Sequence, residues 1–397
     1  MRIAIVASNM TRGGAETQIV RLCHGLRGRG HEVEIWNLAS GQEWADELAA
    51  ADVRCHEFAT GLRRGHPLAI ARLGAAWRNR RPDVVCAFGP TAIVAVRTVQ
   101  LACPRAGIVF SVRNAVAAGS LRARFLRAAG RIPTTTVFNS AHVARTAVDA
   151  GLLGRAQAVV IYNGIDLTPF TADDRARAAT RSALNVALDE TLLLTVGHLT
   201  PQKNYPAFLR AFDRVATQVP GLQLRIAGRF HGAETEMWQQ ARARWTSGQI
   251  VALGSRSDVP DLLRAADVFV LPSLFEGSPN ALAEAMASRL PVAATPVDGV
   301  TELIISPSHG WRTADTSEEA IEQTLLNMLS ASAADRHARG QAARAFVEER
   351  YGVERMVDEF EALFARVGAG LEGSARGRDS HSDSSASRGG SDTGAGA

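Results

Sequence analysis

Thirteen short apolar runs, most of them separated by stretches with helical periodicity, limit what this chain can fold into. In the first part they are Arg2–Ser8, Glu32–Leu38, Arg54–Phe58, Asp83–Phe88, Gly107–Val112, Thr135–Phe138 and Ala158–Tyr162. In the second they are Leu192–Gly197, Leu222–Gly228, Ile250–Gly254, Val268–Ser273, Pro291–Pro296 and Gly310–Ala314. Near-continuous apolar strands alternating with helices form parallel sheets covered on both faces, so the chain reads as α/β with two doubly wound series. The series break at "NGIDLTPF", residues 163–170, where a turn signal and a proline interrupt the pattern. This predicts a first domain over residues 1–167 and a second over 168–345. The two would face each other across a cleft at the carboxyl ends of their strands, where ligands bind in such sheets. Asp335–Val367 reads as a pair of helices broken near Tyr351-Gly352, with residues 346–368 as the closing helix. Residues 369–397, rich in Ser and Gly without an apolar period, read as disordered.

Composition narrows the partners. No apolar run approaches the roughly 20 residues of a membrane span, and "MRIAIVAS" lacks the basic start and cleavage site of a signal peptide, so a cytoplasmic protein is expected. Cys23, Cys55, Cys86 and Cys103 sit among apolar residues with no C-x-x-C pair and read as reduced, buried small hydrophobes. Residues 1–170 hold 21 Arg against 11 acidic residues, a net +10, whereas residues 171–397 carry a net −6. A basic half suits an anionic partner. No nucleic-acid motif accompanies the charge and the chain has only 3 Tyr, so nucleic acid is set aside. Within that half, "SLRARFLRAAGRIP" places Leu121, Phe125 and Ala128 or Ala129 at helical spacing among Arg122, Arg124, Arg127 and Arg131. The pattern fits a helix lying on anionic lipid, and also a core-facing helix with a solvated arginine face. The charge of the whole half favours the first, which would place the protein peripherally on the inner face of the cell membrane.

Two stretches carry chemistry. "TVGHLTPQKN" contains Lys203, the single lysine among 44 Lys plus Arg. Lysine is a compact point charge on a flexible stem, suited to a narrow phosphate pocket that an arginine fork would not enter. In "PSLFEGSPNALAEAMASRLPVAATP", a strand ends at Ser273, Glu276 and Gly277 make a turn, Ser278 reads as an N-cap and Pro279 as the first helical residue. The helix N-terminus would offer free N–H groups to a diphosphate. Glu276 lies just before it and Glu284 leans back toward it from the helix. Two acceptor-only carboxylates beside an anion site suit the hydroxyls of a sugar and a ribose.

The order Glu276-Gly277-Ser278-Pro279 through Glu284 resembles the E-G-x-P-x-x-x-x-E element of the family-4 retaining glycosyltransferases, which have the two-domain GT-B fold of facing Rossmann-like domains. The likeness runs over residues 1–365 through "GGAET", "FNSAHVA", "VIYNGID", "VGHLTPQKN" and "DLLRAADVFVLPS". It implies that Lys203 contacts the donor diphosphate, Glu276 holds donor-sugar hydroxyls and Glu284 binds the ribose. Gly13 and Gly14 match the family's glycine loop, Gly277, Ser278, Pro279 and Asn280 its nucleotide-sugar turn, and Arg256 a position whose backbone lies against the base. Three departures stand out. His198 replaces the usual arginine after the glycine of this element; it is either a weaker, pH-dependent phosphate cation or a structural histidine. Arg113-Asn114 stands where many relatives have a histidine, and Arg113 would serve the leaving phosphate. Arg289 and Asp298 replace glycines.

The resemblance implies transfer of a sugar from a nucleotide diphosphate-sugar, commonly UDP-linked, to a hydroxyl of a glycan or lipid-linked acceptor with retained configuration. Lys203, the Pro279 helix terminus and Arg113 would stabilise the departing charge. With no D-x-D, no metal is required, and no cofactor is expected. A dinucleotide-dependent oxidoreductase fits poorly, because "TRGGAET" is not G-x-G-x-x-G. A sugar-nucleotide epimerase on the same fold and a non-catalytic nucleotide- or sugar-binding module remain as alternatives.

Overall fold

The computed structural model describes residues 1–41, 43–59, 66–113, 134–229 and 248–379, with side chains to residue 369. The Arg-bordered segment 120–133, Asn114 and residues 380–397 lie outside the described residues.

All thirteen runs are strands, and every described pairing is parallel. Strands β1 (Arg2–Ala7), β2 (Glu32–Asn37), β3 (Arg54–Glu57), β4 (Val84–Phe88), β5 (Gly107–Val112), β6 (Thr135–Phe138) and β7 (Ala158–Val160) form a sheet in the order β3-β2-β1-β4-β5-β6-β7. Strands β8 (Thr191–Val196), β9 (Leu222–Ala227), β10 (Ile250–Gly254), β11 (Val268–Leu271), β12 (Val292–Ala294) and β13 (Trp311–Arg312) form a second, in the order β10-β9-β8-β11-β12-β13. Each is doubly wound: the order runs outward in both directions from a central first strand. Side-chain alternation in the second sheet shows why both faces need covers. Leu192, Leu194, Phe269 and Leu271 enter one buried cluster, and Leu193, Val268 and Val270 enter another on the opposite face.

By residue contacts the chain falls into two compact units. One comprises Met1–Arg12, Leu26–Ser111 and the segment from Asp358; the other comprises Gly13–Gly25 and Val112–Val357. In the first unit the last helix is fixed by charge and ring packing: Arg29 and His31 reach Glu361 at 2.7 and 2.6 Å, and Phe360 stacks on Phe88. Hydrogen bonds from His31 and Arg29 hold the Glu361 carboxyl below the usual range. In the second unit Arg181, 1% exposed, donates through its two terminal nitrogens to Asp267 at 3.0 Å and to the carbonyls of Ala187 and Glu190. A buried guanidinium needs that many acceptors.

The closing helices break at Gly352 as the sequence suggests, one spanning Ala333–Tyr351 and the next starting at Val353. The last helix runs to Asp379, past the boundary at 368. No proline interrupts it, and the glycines in "GAGLEGSARGRD" weaken a helix without ending one.

Candidate functional site

Every residue of the site lies within the second unit. Strand β8 ends at Val196, just before Gly197, and a single 3-10 turn, Pro201–Lys203, leads into the helix Tyr205–Ala216 through Asn204, held at φ +52°. The Lys203 side chain folds back over Gly197, where an added Cβ would stand 2.9 Å from its Cε. Gly197 is itself pressed from behind, since a Cβ on Gly228 would come within 1.9 Å of the Gly197 carbonyl oxygen. The Tyr205 hydroxyl donates to that same carbonyl at 3.0 Å. Burial pushes the Tyr205 phenol up, so it keeps the proton it donates. The lysine is thus set by main-chain spacing.

Its ammonium donates to Glu276 Oε1 at 2.6 Å, and Ser273 Oγ donates to the same oxygen at 2.6 Å. Lys203 is 17% and Glu276 8% exposed at the side chain. Glu276 therefore has its second oxygen left for a hydroxyl donor, and Lys203 has two further N–H bonds for an anion. Gly277 lies in a tight turn: Gly299 N donates to Glu276 O at 3.1 Å, and a Cβ on Gly299 would meet Gly277 O at 2.6 Å.

The turn ends one residue later than the sequence reading placed it. Pro279 is the N-cap and Asn280 the first residue of the helix Asn280–Ala287, with Pro279 O accepting from Leu282 N and Ala283 N. Ser278 precedes the cap. The reason is geometric: at ψ 93° Pro279 is extended, and its carbonyl, not that of Ser278, receives the first helical bonds.

Asn280 brings two expected residues together. Its Nδ2 donates to Gly14 O at 3.2 Å, and its Oδ1 accepts from Asn163 Nδ2 at 2.7 Å, while Asn163 Oδ1 accepts from Arg113 Nη1 at 2.7 Å. Gly14 opens the helix Gly14–Gly28, and Gly13 O takes both the Thr17 amide and hydroxyl. Glu284 meets a residue that the sequence reading missed: Arg21 Nη2 lies 3.6 Å from Glu284 Oε1, and Arg21 Nη1 donates to Gly164 O at 2.7 Å. Burial raises the Glu284 carboxyl above its ordinary range, and the Arg21 charge only partly opposes this. His198 Nδ1 accepts from Arg229 N at 3.2 Å, a structural contact for the ring nitrogen. Arg256 pairs with Asp258 on the surface. Arg289 takes φ +60°, the left-handed conformation that glycine adopts most easily, which accounts for the glycine preference expected there. Among the described residues no three His, Cys, Asp or Glu side chains gather into a metal-holding group.

Residues 12–169 match the profile described as Glycosyltransferase Family 4, and residues 190–331 match that of Glycosyl transferases group 1. The chain belongs to glycosyltransferase family 4. Family-4 relatives among characterised proteins include the UDP-Gal:alpha-D-GlcNAc-diphosphoundecaprenol alpha-1,3-galactosyltransferase of Escherichia coli, 30% identical over 159 residues, 38% of this chain and 40% of the relative. The D-inositol 3-phosphate glycosyltransferase of Mycobacterium tuberculosis is 29% identical over 223 residues, 51% of this chain and 44% of that protein. The chain spans less than half the length of the curated relatives it matches. Its fold is that of HepE from Anabaena, solved with UDP and glucose: TM-score 0.81 at 18% identity, over 92% of this chain and 100% of HepE. The architecture is accordingly GT-B, with two Rossmann-like domains.

Proposed function

We propose that this family-4 chain transfers a sugar from a nucleoside diphosphate-sugar, UDP-linked, to a hydroxyl of a glycan or lipid-linked acceptor, with retention of anomeric configuration and no metal. The observation that carries the reading is the Lys203–Glu276 pair, a compact cation and an acceptor-only carboxylate meeting at 2.6 Å beside a helix start. A sugar bound through its diphosphate presents those two groups with a phosphate oxygen and a hydroxyl. Glu284 would accept from the ribose, with Gly13, Gly14 and the turn Gly277 to Asn280 approaching the phosphates. The bond from the anomeric carbon to the diphosphate oxygen breaks, the acceptor oxygen bonds to that carbon on the same face, and its proton passes to the leaving phosphate. Lys203 and Arg113 stabilise the charge that develops. The relatives' names support the donor class: one uses UDP-galactose and HepE was solved with UDP. In this reading residues 168–345 hold the donor and residues 1–167 the acceptor.

A nucleoside diphosphate panel tests the donor side. UDP should raise the melting temperature more than ADP or GDP at equal concentration, because a ligand that binds only the folded state stabilises it by mass action. No shift with any of them would remove the donor reading. With a turnover assay in hand, EDTA should leave most activity; complete loss restored by magnesium would exclude the metal-free mechanism.

Membrane association is proposed with its own basis in the first unit. No described helix is long and apolar enough to cross a membrane. The helix Pro67–Arg80 contains no acidic residue, and Leu68 and Leu101 are 46% and 88% exposed near exposed Arg72, Arg78 and Arg105. Arginines beside exposed leucines suit an anionic lipid surface. Cosedimentation with anionic vesicles should occur at low salt and fall at high salt; no pelleting at low salt would refute it.

A further inference from the structure

The hydrogen bonds joining Arg113, Asn163, Asn280 and Gly14 form a line with one permitted direction. A guanidinium only donates and a carbonyl only accepts, so the two ends of the line fix both amides between them. Arg113 Nη1 gives to Asn163 Oδ1 at 2.7 Å, Asn163 Nδ2 gives to Asn280 Oδ1 at 2.7 Å, and Asn280 Nδ2 gives to Gly14 O at 3.2 Å. Rotating either amide would set N–H against N–H at one end and oxygen against oxygen at the other. Arg113 is 8% and Asn163 5% exposed, where a mismatched polar contact is most costly. The space is equally constrained: a Cβ on Gly14 would stand 3.0 Å from Asn280 Nδ2.

The same dipeptide reaches the other carboxylate of the site through its backbone. Gly164 N donates to Gln18 Oε1 at 2.8 Å, and Gly164 O accepts from Arg21, which approaches Glu284. Gly164 admits no side chain, since a Cβ would lie 2.9 Å from Val353 Cα. Asn163 and Gly164 are therefore held rigidly between the strand end that carries Arg113, the helix start at Asn280 and the glycine turn at Gly14.

We propose that Asn163 is a positioning residue for sugar transfer: its amide sets the Arg113 guanidinium against the Asn280 helix start, so that both address one leaving diphosphate. The proposal rests on the transfer reading above. It makes Asn163 a determinant of the chemical step, since misplacing a group by about 1 Å can cost about 100-fold in rate.

Asn163→Asp is the most informative change, because it keeps the shape and the acceptor facing Arg113 while replacing the donor that Asn280 requires. The assay is release of UDP from UDP-glucose and UDP-galactose, with water as acceptor, alongside UDP affinity by calorimetry. The expected result is a kcat lower by about 100-fold and a UDP dissociation constant within about threefold of wild type, in a variant that is still folded at the assay temperature. Asn280→Asp, which breaks the line at its other end without touching Arg113, should lower kcat similarly. The double variant should lose little more than either alone, because one line has already been broken. Wild-type kcat in Asn163→Asp, or a loss matched by weaker UDP binding, would overturn the positioning role. Wild-type protein that binds UDP yet releases none from either donor would instead overturn the transfer reading, and the proposal with it.

Discussion

Lys203→Ala should lose about 1,000-fold in turnover and Lys203→Arg about 100-fold, with both variants folded. Removing a preorganised charge donor from a leaving group typically costs that range. The arginine variant is the sharper test. The lysine stem lies against Gly197 so closely that an added Cβ there would come within 2.9 Å of Cε, and Gly228 prevents Gly197 from receding. A guanidinium is wider than an ammonium and brings a planar fork to a carboxylate held at 8% exposure. It would either bind Glu276 bidentately, occupying both carboxylate oxygens, or be expelled from the turn. Ser273 still donates to Glu276 in either variant, so the fold has a partner for the buried carboxylate. Wild-type-like kcat/KM for Lys203→Arg would show that the site does not select a compact cation.

Glu284→Gln should move stability and binding in opposite directions. Burial raises the Glu284 carboxyl, and Arg21 offsets this incompletely: its Nη1 is committed to Gly164 O at 2.7 Å and its Nη2 stands 3.6 Å from Glu284. A carboxyl whose folded pKa is raised contributes stability that is full below the unfolded pKa and is lost as pH rises through the folded value. Glutamine does not titrate. The variant should therefore melt higher than wild type at pH 8, with the difference shrinking toward pH 5. UDP affinity should fall about 10–100-fold, the usual cost of losing hydrogen bonds to a charged acceptor. Melting curves at the two pH values and calorimetry with UDP check both halves. An unchanged UDP affinity would remove Glu284 from the nucleotide site.

The strands were legible because burial on both faces leaves an unbroken apolar signature. Gly107–Val112, Thr135–Phe138 and Ile250–Gly254 match from end to end. Where the reading ran long, as at Val268–Ser273 against Val268–Leu271, the extra residues stay buried after pairing ends, and burial alone does not mark a strand end. The turns that carry Lys203 and Glu276 were legible from local signals, whereas Asn280 entered only through the family resemblance. Arg21 was not legible. It lies mid-helix, one arginine among 43, and only the tertiary fold shows that it faces Glu284. Asn163 was visible as part of a turn, but an amide's role as relay depends on partners 50 residues before it and 117 after it.

The solitary lysine has a spectroscopic consequence. A protein grown on isotopically labelled lysine would carry one labelled side chain, and that side chain is the one resting on Glu276. Its ε-methylene resonance would stand without neighbours of its own type in the spectrum. A titration that perturbs it would report ligand binding beside Glu276 directly, with no assignment problem and no mutation.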